Sequence, residues 1–124
     1  MGIHWFAAKE RVGQASLTCN YITLNSVASL PFQYAYKVQV GVDEEGNIAV
    51  ASLSKERVLR GDLDEYALQN ISYRKSYSRI CSTELMRQIA EETGLVLTET
   101  AQSFETSWND RDNIMIIRLK KEDK

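Results

Sequence analysis

The stretch "ISYRKSYSRICSTELMRQIAEETG", Ile71 to Gly94, gathers the side chains with the most chemical potential in this chain. Arg74, Lys75 and Arg79 lie close together, and no carboxylate occurs from Ser72 to Thr83. Cations attract phosphate, and Tyr73 and Tyr77 offer flat faces on which unpaired bases stack. If 73–79 is extended, alternation places Tyr73, Lys75, Tyr77 and Arg79 on one face, with Arg74 opposite. Ser82 is a good helix N-cap, and the amides behind it favour an anion. Tyr73, Arg74, Lys75, Tyr77, Arg79 and Ser82 therefore form a candidate nucleic-acid or anion contact. A structural alternative stays open. Strands are rich in tyrosine, cations beside them protect a sheet edge, and Asp62, Asp64 and Glu65 offer neutralising charge.

Other chemistries find little support. His4 is the single histidine, and Cys19 and Cys81 show no ligand spacing, so no metal site is expected. Phosphate-binding glycine motifs are absent, and no cofactor is expected. A serine or cysteine nucleophile needs a base, and nothing places His4 beside one. "GDLDEY" reads as a turn, while Glu91 and Glu92 are adjacent on a helix and do not share a face. No catalytic residue is assigned, and an enzyme ranks third among the functional readings.

The elements that must position these residues follow from periodicity. The best-marked helix spans 83–93, with Ser82 as N-cap, Gly94 as the left-handed C-terminal residue and a stripe of Leu85, Met86, Ile89 and Ala90. Phe32, Tyr34, Tyr36, Val38, Val40 and Val42 are apolar at every second position, which predicts a half-buried strand facing the core. "DEEGN" turns the chain and "IAVASL" returns it as a hairpin. "FETSW" and "IMIIRL" frame a second hairpin, and "LVLTE" is expected to be a strand. "SKERVLRGDLDEY" makes a short helix or loop. In "ALQNISYRKSYS" Leu68 and Ile71 are out of phase, which predicts a bulge or kink. The run Val12–Tyr36 carries no charge and reads as a central strand plus a covered loop, or as a dimer interface. No internal repeat is legible beyond the two hairpins.

Two resemblances bear on function. The hairpin "YKVQVGVDEEGNIAV" resembles part of the AbrB family of bacterial DNA-binding proteins, with Val38, Val40, Val42, Asp43, Gly46 and Ile48 in place and "YITLN" as the preceding strand. It covers about a third of the chain. That family binds DNA through arginines beside its first strand, whereas "ITLNSVASL" has no cation, so the resemblance implies a hairpin rather than DNA binding. "IAEETGLVLTET" resembles a helix-turn-helix around Ala90, Glu91, Gly94 and Leu95. After the turn, Val96, Leu97 and Glu99 are poor residues for a recognition helix.

The sequence thus predicts one α+β domain over 1–124, a mostly antiparallel sheet with two β-hairpins and one main helix. Hydrophobic residues make up 44% and the net charge is −2, so any nucleic-acid contact is a local patch. No transmembrane span or export signal is legible, and a cytoplasmic setting with two reduced, buried thiols is expected. The expected function is a small non-enzymatic binding or regulatory module with an anion or single-stranded nucleic-acid contact at 73–82. The alternative is a protein–protein interaction or self-association module, such as a homodimer.

Overall fold

A computed structural model describes residues 2–4 and 12–119. Most of the N-terminal stretch and the tail "KKEDK", expected to fray, lie outside them. The strands are β1 (Gln14–Leu17), β2 (Tyr21–Asn25), β3 (Lys37–Val42), β4 (Ile48–Leu53), β5 (Leu68–Gln69), β6 (Ser72–Tyr73), β7 (Tyr77–Cys81), β8 (Gln102–Asn109) and β9 (Ile114–Ile117). The helices are α1 (Ser26–Ser29), α2 (Lys55–Leu59) and α3 (Thr83–Thr93), with 3-10 turns at Leu30–Phe32 and Glu65–Ala67. The strands form one antiparallel sheet in the order β5-β3-β4-β9-β8-β1-β2-β7-β6.

This corrects the expected α+β class. The described residues are mostly antiparallel sheet, nine strands in a curled half-barrel, with short helices and only 23% helix. The sequence reading undercounted strands. The uncharged run holds a hairpin, β1–β2, where one strand and a loop were expected. Its turn lacks glycine and proline; the Thr18 hydroxyl makes it by accepting from the amides of Asn20 (3.1 Å) and Tyr21 (3.2 Å). "LVLTE" is not a strand. Leu95 and Leu97 lie against the core, but the segment finds no ladder, and the Cys19 amide takes the Thr98 carbonyl (2.8 Å).

Two segments curl the sheet. The first half of β8 pairs with β1 and its second half with β9. At the opposite corner, β5 pairs with β3 and β6 with β7, although they are the two ends of the sheet. Only Asn70 and Ile71 separate them, a reach of roughly 10 Å at full stretch, so the two edges must approach one another. The expected kink near Leu68 and Ile71 is this corner.

The order β1–β2–α1–β3–β4 recurs as β6–β7–α3–β8–β9. The first hairpin's pairs Ser16↔Thr23 and Leu17↔Ile22 recur as Ser72↔Arg79 and Tyr73↔Ser78 at one constant sequence shift. Equivalent strands meet as β2–β7 and β4–β9, and β1–β8 is matched by β5–β3. The chain therefore has an internal two-fold in its topology, contrary to the expectation of no repeat. It was illegible because the related residues differ: Thr23 corresponds to Arg79, and Ile22 to Ser78.

The inner face of the sheet is the core, built on Leu17, Ile22, Leu24, Phe32, Val38, Ile48, Val50, Ile80, Met115 and Ile117. Helix α3 closes it with Leu85, Met86 and Ile89. The Ser82 hydroxyl accepts from the Leu85 amide (3.1 Å), and Gly94 ends the helix at φ 77°, where a side chain would be strained. The alternation from Phe32 to Val42 is only in part a strand. Phe32 is buried from a 3-10 turn, Tyr34 is 88% exposed, Tyr36 and Val42 are exposed, and Val40 is half-buried. Only Val38 is fully buried from β3 itself, because Pro31 and the 3-10 turn delay the strand to Lys37. The thiols are corrected too: Cys81 is exposed and Cys19 half-buried.

Ser78 sits on the inner face, fully buried, and its hydroxyl has no hydrogen-bond partner among the described residues. Its two-fold counterpart is Ile22. Replacing Ser78 by valine removes an unpaired polar group and adds apolar contact. Ser78→Val is expected to stabilise the fold by about 1 kcal/mol. Urea unfolding checks this, and a loss of stability would refute it.

Candidate nucleic-acid and anion interface

The segment 72–81 is a hairpin rather than one extended strand. Tyr73 pairs with Ser78 and Ser72 with Arg79, and the Arg74 amide donates to the Tyr77 carbonyl (2.8 Å). The chain therefore reverses at Lys75 and Ser76. Residues opposite each other in a ladder share a face. Tyr73 thus lies on the inner side with the buried Ser78 and Ile80, while Arg74, Tyr77, Arg79 and Cys81 share the outer side. The expected stripe of Tyr73, Lys75, Tyr77 and Arg79 does not form. Arg74 joins Tyr77 and Arg79 instead, and Lys75 sits at the exposed tip. Ser82 is spent as the cap of α3.

The pairing of β7 with β2 brings in residues that sequence reasoning missed. Tyr21 faces Cys81, Thr23 faces Arg79 and Asn25 faces Tyr77. The Arg79 guanidinium lies over the Tyr21 ring (4.3 Å to its centroid) and over the Tyr77 ring (5.4 Å). Its Nε donates to Thr23 Oγ1 (3.2 Å). Tyr21 and Tyr77 are related by the shift that relates Thr23 to Arg79, so this group sits where the two halves meet. No local signal links Tyr21 to Arg79, because their contact is made by a ladder between distant strands. Its only trace in the sequence is the tyrosine ahead of the apolar positions of each strand.

The charge at this face is not neutralised by the carboxylates expected to do so. Asp62 pairs with Arg57, whose hydrogen bond holds the Asp62 carboxyl below its usual range. Asp64 accepts from the Tyr66 amide (3.0 Å). Among the described residues the ion pairs are Arg57–Asp62 and Arg87 with Glu84 and Glu91, and none involves Arg74, Lys75 or Arg79. A guanidinium close to two rings and tied by its Nε is a positioned cation with aromatic neighbours. That arrangement suits a planar or anionic ligand.

Among the described residues no helix is long and apolar enough to cross a membrane. The fold and this face define a curled antiparallel sheet with a cationic, aromatic outer surface at the junction of two similar halves. Compared with protein families, characterised proteins and solved structures, the chain has no match.

Proposed function

We propose that the protein is a small non-enzymatic binding module that contacts single-stranded nucleic acid, or a related anionic ligand, through the outer face of β2 and β7. The observation that carries this reading is Arg79 held between Tyr21 and Tyr77 and tied to Thr23. Tyr77 is 38% exposed, leaving ring surface for a base to stack. Arg74 and Lys75, exposed at the adjoining hairpin, supply phosphate contacts. Single strands fit better than duplex, since the face is a sheet with aromatics that need unstacked bases. The net charge of −2 makes this contact local and weak at high salt. A cytoplasmic setting, with Cys19 and Cys81 unpaired, is part of the same proposal.

The test is fluorescence anisotropy with mixed-sequence single-stranded DNA and RNA at low salt. Tyr77→Ala is expected to weaken binding by about 1–3 kcal/mol. Neutralising Arg74, Lys75 and Arg79 together is expected to lower the slope of log K against log salt by roughly 2. No binding at roughly tens of micromolar protein would sink the proposal, since nonspecific electrostatic binding already reaches that range. Binding that survives the triple substitution would place the contact elsewhere.

A further inference from the structure

Arg79 stands at the centre of the β2–β7 ladder, opposite Thr23. Its Nε donates to Thr23 Oγ1 (3.2 Å), while Nη1 and Nη2 have no hydrogen-bond or ion-pair partner among the described residues. No carboxylate occurs on β2, β6 or β7 to take them up. A guanidinium is a planar fork of N–H donors with no acceptor. It holds a ligand side-on, through Nε and one terminal nitrogen, or end-on, through both terminal nitrogens. The bond to Thr23 occupies the Nε donor, so the end-on pair remains.

The three cations of this face are therefore not alike. Arg74 and Lys75 are exposed at the hairpin, where a cation meets a phosphate from many directions. Arg79 is half-buried, tied at Nε and flanked by the Tyr21 and Tyr77 rings. A phosphate contact carries no sequence information, whereas a fork fixed in direction distinguishes one base edge from another.

Resting on the single-strand reading above, we propose that Arg79 makes the site selective for guanine. Its Nη1 and Nη2 donate to O6 and N7 of an unstacked base, and Thr23 is the positioning residue that aims them. O6 and N7 are both acceptors, so both N–H groups are satisfied. The same edge of adenine presents one acceptor and an amino donor, and that of thymine one acceptor and a methyl group. Either leaves an N–H of the fork unmet after its water has been displaced. Unpaired cytosine also has two neighbouring acceptors, O2 and N3, but its single ring offers less surface to stack on Tyr77 than a purine does. Thr23 and Arg79 are equivalent under the internal two-fold, so the fork occurs once and each chain takes one guanine.

The test is fluorescence anisotropy of the full chain at low salt with single-stranded oligothymidines that carry one central guanine, adenine, cytosine or 7-deazaguanine. The guanine strand is expected to bind about tenfold more tightly than the adenine strand, which stacks as well but lacks the second acceptor. The cytosine strand is expected to bind more weakly than the guanine strand. The 7-deazaguanine strand, without the N7 acceptor, is expected to lose most of the gain. Arg79→Lys keeps the charge but not the fork, and Thr23→Val keeps the shape but releases Nε. Both are expected to bring the guanine-to-adenine affinity ratio to about one. Arg74→Gln is expected to weaken every strand alike and to preserve the ratio. If Arg79→Lys or Thr23→Val fails to fold, the 7-deazaguanine strand on the unaltered chain decides. Equal binding of guanine and adenine strands, a 7-deazaguanine strand as good as guanine, or a cytosine strand matching guanine would overturn the guanine assignment and leave the single-strand reading standing. No binding of any strand at roughly tens of micromolar protein would remove both.

Discussion

Phe32→Ala is expected to lower the unfolding free energy by about 3–5 kcal/mol, the range for emptying a buried aromatic site. Phe32 is fully buried and meets Trp108 edge to face, with ring centroids 5.5 Å apart and planes at 73°. It is carried by the turn after α1, while Trp108 belongs to β8, so the contact ties the two similar halves together. The surrounding sheet is closed by ladders on both sides of each central strand and has little freedom to collapse into the void. Urea denaturation measures the loss. Tyr34, two residues on and 88% exposed, is the internal control, and Tyr34→Ala is expected to change stability by no more than about 0.5 kcal/mol. Similar effects at the two positions would contradict the turn that separates them.

Val38→Asp is expected to cost about 4 kcal/mol or more at neutral pH, enough to unfold much of the population. Val38 is fully buried, on a strand held by β4 on one side and β5 on the other, and no cation is among the core residues around it. The deficit is expected to shrink on acidification. Burial raises the folded-state pKa of the new carboxyl above its unfolded value. The folded form then binds more protons than the unfolded form as pH falls through that window, which favours folding. Val40→Asp is expected to cost much less, because Val40 is half-buried and lines an open groove. Thermal melts of both variants across pH 4–8 check the pair. A Val38→Asp protein as stable as the parent at neutral pH would refute the core assignment.

That pair also marks what alternation conveys. Val38, Val40 and Val42 are the same residue type at the same spacing, yet Val38 is core, Val40 is half-buried in an open groove and Val42 is exposed at its rim. The difference comes from how far α3 and β5 extend over β3, which a pattern on β3 does not contain. The candidate contact shows the same division. The cations and Tyr77 were legible because composition alone marks them. Which of them share a face was not, because a two-residue reversal at Lys75 and Ser76 changes every side assignment.

By itself the sequence determined the elements whose signals are local. Helix α3 has its cap, apolar stripe and terminal glycine within one segment, so its bounds are written in that segment. The Asp43–Asn47 turn is likewise local, with Gly46 at φ 84° and the Asp43 carboxylate accepting from the amides of Glu45 and Asn47. Only the tertiary structure decided the mostly β class, the curl, the internal two-fold, and the meeting of Tyr21, Thr23, Arg79 and Tyr77. Each of these depends on which strands become neighbours, and ladder partners such as β2 and β7 are chosen by closing the sheet over a common core. Backbone hydrogen bonds are alike for every residue type but proline and leave little mark on sequence, so the pairing is set by burial summed over the whole chain.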